Sequence, residues 1–255
     1  MKILVLLKLV VDPDIPPAKF KIDYDLKTQV VDDNPILISS YDENALEVAL
    51  KLKEKHNFEV DVLTLTNLDY SQPIRKALAM GADKAFVLLN PQKFMDVTNT
   101  AKIIADYITG KKYNLILTGF ESADWGQRTF APVLASILNL NLITFSYKIE
   151  YQDNFWKVYK LVDNGYIVLK TNQDIVVSIT THSENQPRYP KVKEIMLASK
   201  KPIFVEEIKG QYSNSVKIEK LEQPTTKIEC QIIEGKDSHE KAQKLYQKLK
   251  ELKII

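Results

Sequence analysis

The sequence predicts a doubly wound α/β fold: a mainly parallel, Rossmann-like nucleotide-binding sheet, extended by antiparallel strands and followed by a C-terminal arm. Three observations carry this. Up to residue 140, short apolar runs alternate with stretches of helical period, giving the order β-α-β-α-β-α-β-α that a parallel sheet requires. Beyond it the apolar runs follow one another directly, with "DNG" at 163–165 a strong hairpin turn, so this part should add antiparallel strands. From about residue 206 the chain turns polar, then ends in an amphipathic stretch. Residues 1–205 are therefore expected to form the α/β nucleotide-binding domain, and 206–255 a C-terminal arm and helix that either lies on this domain or docks a partner. With 255 residues, 45% hydrophobic and 27% charged, the chain can bury one large core with an appendage.

The opening run "MKILVLLKLVVD" is interrupted by Lys8, which leaves it too short for a signal peptide or a membrane span. It reads as a buried parallel strand entering the loop "DPDIPP", where Pro13, Pro16 and Pro17 forbid continued pairing. "KFKIDYDLKTQVV" alternates like a hairpin, with Asp25 to Lys27 near its tip. "SSYDENALEVALKLKEKH" predicts a helix capped by Ser40, with Asp42 and Glu43 in its first turn and Ala45, Leu46, Ala49, Leu50 and Leu52 on one broad face. Both acids read as helix-dipole compensation rather than as an acid/base pair.

The strand "FEVDVLTLT" is followed by a short helix in "SQPIRKALAMG", marked by Ile74, Ala77 and Leu78. Gly81 is placed as its left-handed C-cap, which makes "ALAMGAD" a helix-to-strand joint leading into "KAFVLLN". A helix across "FMDVTNTAKIIADYIT" up to Gly110, the strand "YNLILTG" and a helix around "RTFAPVLASILN" complete the alternation. "LITFSYKIEYQ", "NFWKVYKLV", "GYIVLKTN" and "DIVVSITT" are the later strands. "RYPKVKEIMLASKKPIFVEE" reads as a loop and a short basic helix. In "SHEKAQKLYQKLKELKII", Ala242, Leu245, Leu249 and Leu252 are spaced for a terminal helix.

Lys and Arg total 35 against 33 Asp and Glu, so a net charge of +2 offers no electrostatic reason for nucleic acid or a membrane as partner. Cys230 is the single cysteine, which rules out an internal disulfide framework and a cysteine metal cluster and suits a reducing, cytoplasmic location. His56, His182 and His239 stand apart, with neither HExxH nor GxSxG present, so metallohydrolase and serine hydrolase chemistry have no support. In an open α/β sheet, ligands sit beyond the carboxyl ends of the strands where strand order reverses. The loops at Lys8 to Pro13, Ser39 to Glu43, Thr64 to Asn67 and Gly119 to Thr129 are the places to search. The last, "GFESADWGQRT", puts Gln, Arg and Thr at a helix start, which suits a phosphate, although no P-loop or GxGxxG is present.

The blocks "VDPDIPPAKFKID", "YDENALEVALKLKE", "RKALAMGADKAFVL", "ENQPRYPKVKEIMLASKKPI" and "KAQKLYQKLKELKII" resemble, in order and over essentially the whole chain, the electron transfer flavoprotein β subunit. The resemblance implies an electron carrier subunit rather than a stand-alone enzyme. A larger α subunit would hold the FAD, and this chain would support it and bind AMP. In the subgroup similar in its "DPDIPP" loop and terminal helix, a second FAD replaces AMP and electron pairs are bifurcated. Implied partners are the α subunit, an acyl-CoA or other dehydrogenase, and a quinone-linked or other electron acceptor, with the terminal arm wrapping the α subunit. Leu7, Lys8, Ser39, Thr66, Asp124, Gln127, Arg128 and Thr129 become the candidate cofactor-binding residues, with no catalytic or metal-ligating residue. Asn185, Pro187, Arg188 and Tyr189 match the partner-recognition loop, and Val192 stands where the family places an apolar anchor for dehydrogenases.

The chain also departs from the family pattern. In the nucleotide loop Asp124 is kept, but an acid is lost at Gly126 and the family's glutamine is Thr129, while Arg128 adds a cation suited to phosphate. The family's Asn-Pro before "YDE" is Ser39-Ser40. Of the second signature, Lys160, Leu161, Asp163, Asn164, Gly165 and Ile167 keep the turn but not the acids. These departures sustain one alternative: a divergent adenine-nucleotide-binding α/β module, free to self-associate and without an electron-transfer role.

Overall fold

The computed structural model describes residues 1–25, 27–90, 92, 95–209, 212–223 and 230–255. They form two compact units, Met1–Leu221 and Glu222–Ile255. In the first, β1 (Lys2–Leu6), β2 (Leu9–Val11), β3 (Ile22–Asp23), β4 (Thr28–Gln29) and β5 (Ile36–Ile38) precede helix α1 (Ser40–His56). Then come β6 (Glu59–Thr66), α2 (Ser71–Met80), β7 (Lys84–Leu89), α3 (Val97–Ile108), β8 (Leu115–Gly119) and α4 (Phe130–Leu138). They are followed by β9 (Asn141–Gln152), β10 (Phe155–Val162), β11 (Gly165–Thr171), β12 (Ile175–Ile179), α5 (Val192–Ala198) and β13 (Ile203–Glu207). The second unit carries α6 (Ser238–Glu251), whose Leu245 and Tyr246 are exposed, as is Leu252 at its C-cap.

Among the described residues, nine strands share one sheet in the order β11-β10-β9-β12-β8-β1-β6-β7-β13. The α/β class and the mainly parallel sheet are as the sequence predicts. Alternate side chains of β1 divide between the two faces, as strand geometry demands. Ile3 and Val5 join a core with Leu46, Leu50, Ile74 and Leu78 of α1 and α2. Leu4 and Leu6 join one with Ile103, Ile104 and Leu134 of α3 and α4.

Three local expectations differ. β12 does not extend the sheet antiparallel: its "IVVSI" run is wholly buried and lies parallel between β8 and β9, so the antiparallel extension is β10 and β11 alone. A continuous apolar run of this kind is the mark of a parallel strand covered on both faces. Residues in "IFVEE" form β13, parallel to β7 at the sheet edge, where the sequence suggests only a loop and a short basic helix. Ser40 is the first helical residue of α1 and Ser39 is its N-cap, yet the Ser39 hydroxyl does not bond to the helix.

The "ALAMGAD" joint is held by polar staples. Gly81 has φ +141°, a positive value that an L side chain resists, and an added Cβ would lie 3.0 Å from Leu50 Cδ2. Asp83 accepts from the Val60 N–H at 2.9 Å and from Lys53 Nζ at 2.5 Å, so the turn is tied to the start of β6 and the end of α1. Lys201 Nζ donates to the carbonyls of Leu78 and Ala82 at 2.9 and 2.6 Å. Gly81→Ala should destabilise the fold by about 1–2 kcal/mol in urea denaturation followed by circular dichroism. Gly110→Ala should cost less, because Gly110 shares the positive φ but has open space where the Cβ would stand.

Candidate functional site

The chain runs from β1 to β6 and β7 on one side of the sheet and returns to β8 on the other side of β1. Strand order therefore reverses between β1 and β8, and a ligand crevice belongs there. The N-terminus of α1 arrives at the same place, because the backbone N–H of Ser39 donates to the Lys8 carbonyl at 2.9 Å.

Asp42 holds the strand ends together. Its Oδ2 accepts from the Lys8 N–H and its Oδ1 from the Gly119 N–H, both at 2.7 Å. Its side chain reaches so close that a Cβ on Gly119 would lie 2.5 Å from Asp42 Oδ1, so only glycine fits. Burial pushes the Asp42 carboxyl up to about 7, against the pull of the two N–H donors and the Lys8 ammonium.

Several sequence-predicted residues meet here. Lys8 Nζ reaches Asp124 Oδ1 at 2.7 Å and Ser122 Oγ at 3.3 Å. Ser39 Oγ accepts from the Ala123 N–H at 3.1 Å, tying the start of α1 to the 119–129 loop. Gln127 and Thr129 are exposed, Thr129 as the N-cap of α4 without a side-chain capping bond. Arg128, at φ +58°, donates to Glu121 Oε2 at 2.6 Å and lies over the Phe120 ring, so its charge is already engaged by a carboxylate. Leu7 and Thr66 take framework roles at neighbouring strand ends. Leu7 is buried with its N–H on the Leu63 carbonyl, and the Thr66 hydroxyl accepts from the Leu68 N–H at 3.0 Å.

On the other side of β8 opens a cleft of about 490 Å³ lined by Tyr41, Phe120, Glu121, Arg128, Phe145 and Thr180. Phe145 stands at φ +59° where the register of β9 slips against β12, a bulge that re-aims its ring. The Phe120 and Phe145 rings lie 4.7 Å apart. Such a wall of aromatic faces with a few polar groups suits a flat, partly polar ring system.

The segment after β12 presents a third surface. Asn185 is fully buried: its Nδ2 donates to the carbonyls of Thr180 and Tyr147 at 2.8 and 3.0 Å, and its Oδ1 accepts from the His182 N–H. It anchors the segment and does not present itself to a partner from this position. Arg188 forks onto α1, reaching Glu47 at 2.8 and 2.9 Å and also pairing with Glu54, which this bond holds below the usual carboxylate range. Pro187 is half-buried between them. Beyond these anchors Tyr189 is 92% and Val192 75% exposed, beside the exposed Ile195, Met196 and Leu197.

A family model described as the electron transfer flavoprotein domain matches residues 28–209. The chain belongs to this family. It is 30% identical to an electron transfer flavoprotein subunit beta of Thermoanaerobacterium thermosaccharolyticum over 224 residues, covering 87% of this chain and 82% of the relative. The subunit beta of Bacillus subtilis is 33% identical over 170 residues, 66% of this chain and 65% of that one. The caffeyl-CoA reductase-Etf complex subunit CarD of Acetobacterium woodii is 30% identical with both chains covered in full. The resemblance read from the sequence blocks thus holds.

Sequence reading of this electron transfer flavoprotein chain marked the loops that hold Tyr41, Asp42, Phe120 and Glu121 without singling these residues out, and passed over Phe145 and Thr180. Asp42 carried a signal, since the "YDE" block marked it, but an acid in a first turn has a simpler use on an exposed helix end. Its burial gives a test. From the ordinary carboxyl value up to about 7 the folded chain binds a proton that the unfolded chain has released, so this stabilisation is present at low pH and lost as pH rises through about 7. Wild type should lose stability relative to Asp42→Asn between pH 5 and 7, by at most roughly 1.4 kcal/mol per pH unit, and the gap should level off above pH 8. Urea titrations of both proteins across this range check it.

Proposed function

We propose that this chain acts as the β subunit of a heterodimeric electron transfer flavoprotein, binding an adenine nucleotide, AMP or a second FAD, while supporting the FAD held by an α subunit. The observation that carries this reading is the pair of sites flanking β8. At the switch point, the Lys8 ammonium and the 122–129 loop, which Ser39 holds from within, supply donors that a nucleotide's phosphate and sugar require. The chemistry of that donor set fits the group. Across β8, the Tyr41, Phe120 and Phe145 cleft fits an aromatic ring system. FAD, when bound, supplies the electron exchange; this chain's residues orient it, shield it and set its electrostatic surroundings.

The exposed apolar surface of Tyr189, Val192, Met196 and Leu197, on a segment anchored by Asn185 and Arg188, supports docking of a donor dehydrogenase. An apolar centre on a rigid mount is the form of an interface hot spot. The amphipathic α6 supports docking of residues 206–255 onto the α subunit. Among the described residues, no helix is long and apolar enough to cross a membrane.

Co-expression with the α-like chain of the same organism, followed by size-exclusion chromatography, flavin absorbance and calorimetric titration with AMP, ADP and FAD, tests the reading. The expected result is one heterodimer carrying FAD, with saturable binding of an adenine nucleotide. Because Arg128 lines the neighbouring cleft and Lys8 stands in the crevice itself, Arg128→Ala should weaken nucleotide binding less than Lys8→Met, for which roughly tenfold is the expected scale. Val192→Glu should leave assembly and cofactor content intact but slow reduction by an acyl-CoA dehydrogenase of that organism by roughly tenfold or more. A chain that stays free of flavin and of its α-like partner would overturn the proposal.

A further inference from the structure

We propose that Asp42 is the positioning residue of the nucleotide site: its carboxylate ties the end of β1 to the end of β8 and so sets the gap between the two walls. The inference rests on the reading that the loops after β1 and β8 hold a nucleotide.

The two groups it joins are both donors, the N–H of Lys8 and the N–H of Gly119, each 2.7 Å from a different oxygen. Only an ionised carboxylate offers an acceptor on both oxygens. An amide, or a protonated acid, turns one of them into a donor and can satisfy just one N–H well. Gly119 has no room for a side chain, so the contact cannot relax by moving inward. The consequences reach the ligand side directly. Lys8, whose backbone is clamped, aims its ammonium at Asp124 and Ser122, and Ser39, bonded to the Lys8 carbonyl, holds the Ala123 N–H. Loosening Asp42 therefore shifts a cation, a hydroxyl and a backbone donor together.

The charged groups acting on Asp42 are Lys8 at the end of β1 and Asp124 in the loop after β8. On its own helix Glu43 is paired with Lys76 of α2, and at the neighbouring cleft Glu121 is paired with Arg128. Since burial lifts the Asp42 carboxyl to about 7, protonation breaks one arm of the clamp as pH falls through neutrality. Nucleotide affinity should follow the clamp: full above pH 7 and falling below it.

Two measurements on the co-purified heterodimer test this. The first is AMP titration of wild type and Asp42→Asn at pH 6, 7 and 8. The wild-type to variant affinity ratio, which cancels the titration of the AMP phosphate itself, should be roughly tenfold at pH 8 and approach one at pH 6. The second is hydrogen exchange at the Lys8 and Gly119 amides without nucleotide. Relative to intrinsic rates, exchange should quicken in wild type from pH 8 to 6 and be fast in Asp42→Asn at both. The wild-type series decides the matter even if the variant does not fold. AMP binding that is indifferent to Asp42→Asn, or a ratio constant with pH, or protection at both amides unchanged between pH 8 and 6, overturns the positioning role alone. Failure of wild type to bind AMP at any pH, with amide protection still dependent on Asp42, overturns the nucleotide reading and the proposal with it.

Discussion

The inward face of α1 carries three polar side chains, and the loops of the crevice and the segment after β12 hang on them. Asp42, Asn44 and Glu47 are each less than a tenth exposed, and burial of a polar or charged group is tolerable only with partners in place. Asp42 finds two backbone amides at the strand ends of the switch point. Asn44 donates to the Asn185 carbonyl at 2.9 Å and accepts from the Thr181 hydroxyl at 3.0 Å. Glu47 takes the Arg188 fork. One helix thereby fixes the crevice at its N-terminal end and the exposed segment around Tyr189 and Val192 along its next turns.

This arrangement explains why the exposed segment around Tyr189 and Val192 can stay ordered while showing so much apolar surface. Its interior anchor, Asn185, satisfies carbonyls of β9 and of the residue after β12, and its outer anchor, Arg188, makes charge-assisted bonds to Glu47 and Glu54. Neither anchor depends on the side chains that face outward. The sheet edge behaves differently. β11 exposes Tyr166, Ile167, Val168 and Leu169 in succession, so both of its faces are apolar.

The charged side chains of the 119–129 loop are paired off. Arg128 does not stand alone beside the helix N-terminus of α4: its guanidinium is taken up by Glu121 and stacked on Phe120. Lys8 and Asp124 form a second such pair across the crevice. The loop is therefore close to electrically balanced, and donors from backbone and hydroxyl groups gain weight relative to net charge in what it can hold.

Composition, period and punctuation were enough to determine the class of fold, the alternating elements up to residue 140, the joint at Gly81 and the hairpin at "DNG". These depend on local propensity and on which side chains must leave water, and both can be read along the chain. The family was legible only through the resemblance of whole sequence blocks. The parallel insertion of β12 between β8 and β9, the edge strand β13 and the aromatic cleft were decided only in three dimensions, because strand partners are chosen by contacts between segments far apart in sequence. The same holds for Asp42. As a letter in a first helical turn it looks like an exposed acid facing a dipole; its meaning comes from two amides supplied by Lys8 and Gly119, 34 and 77 residues away, and from the burial that their meeting creates.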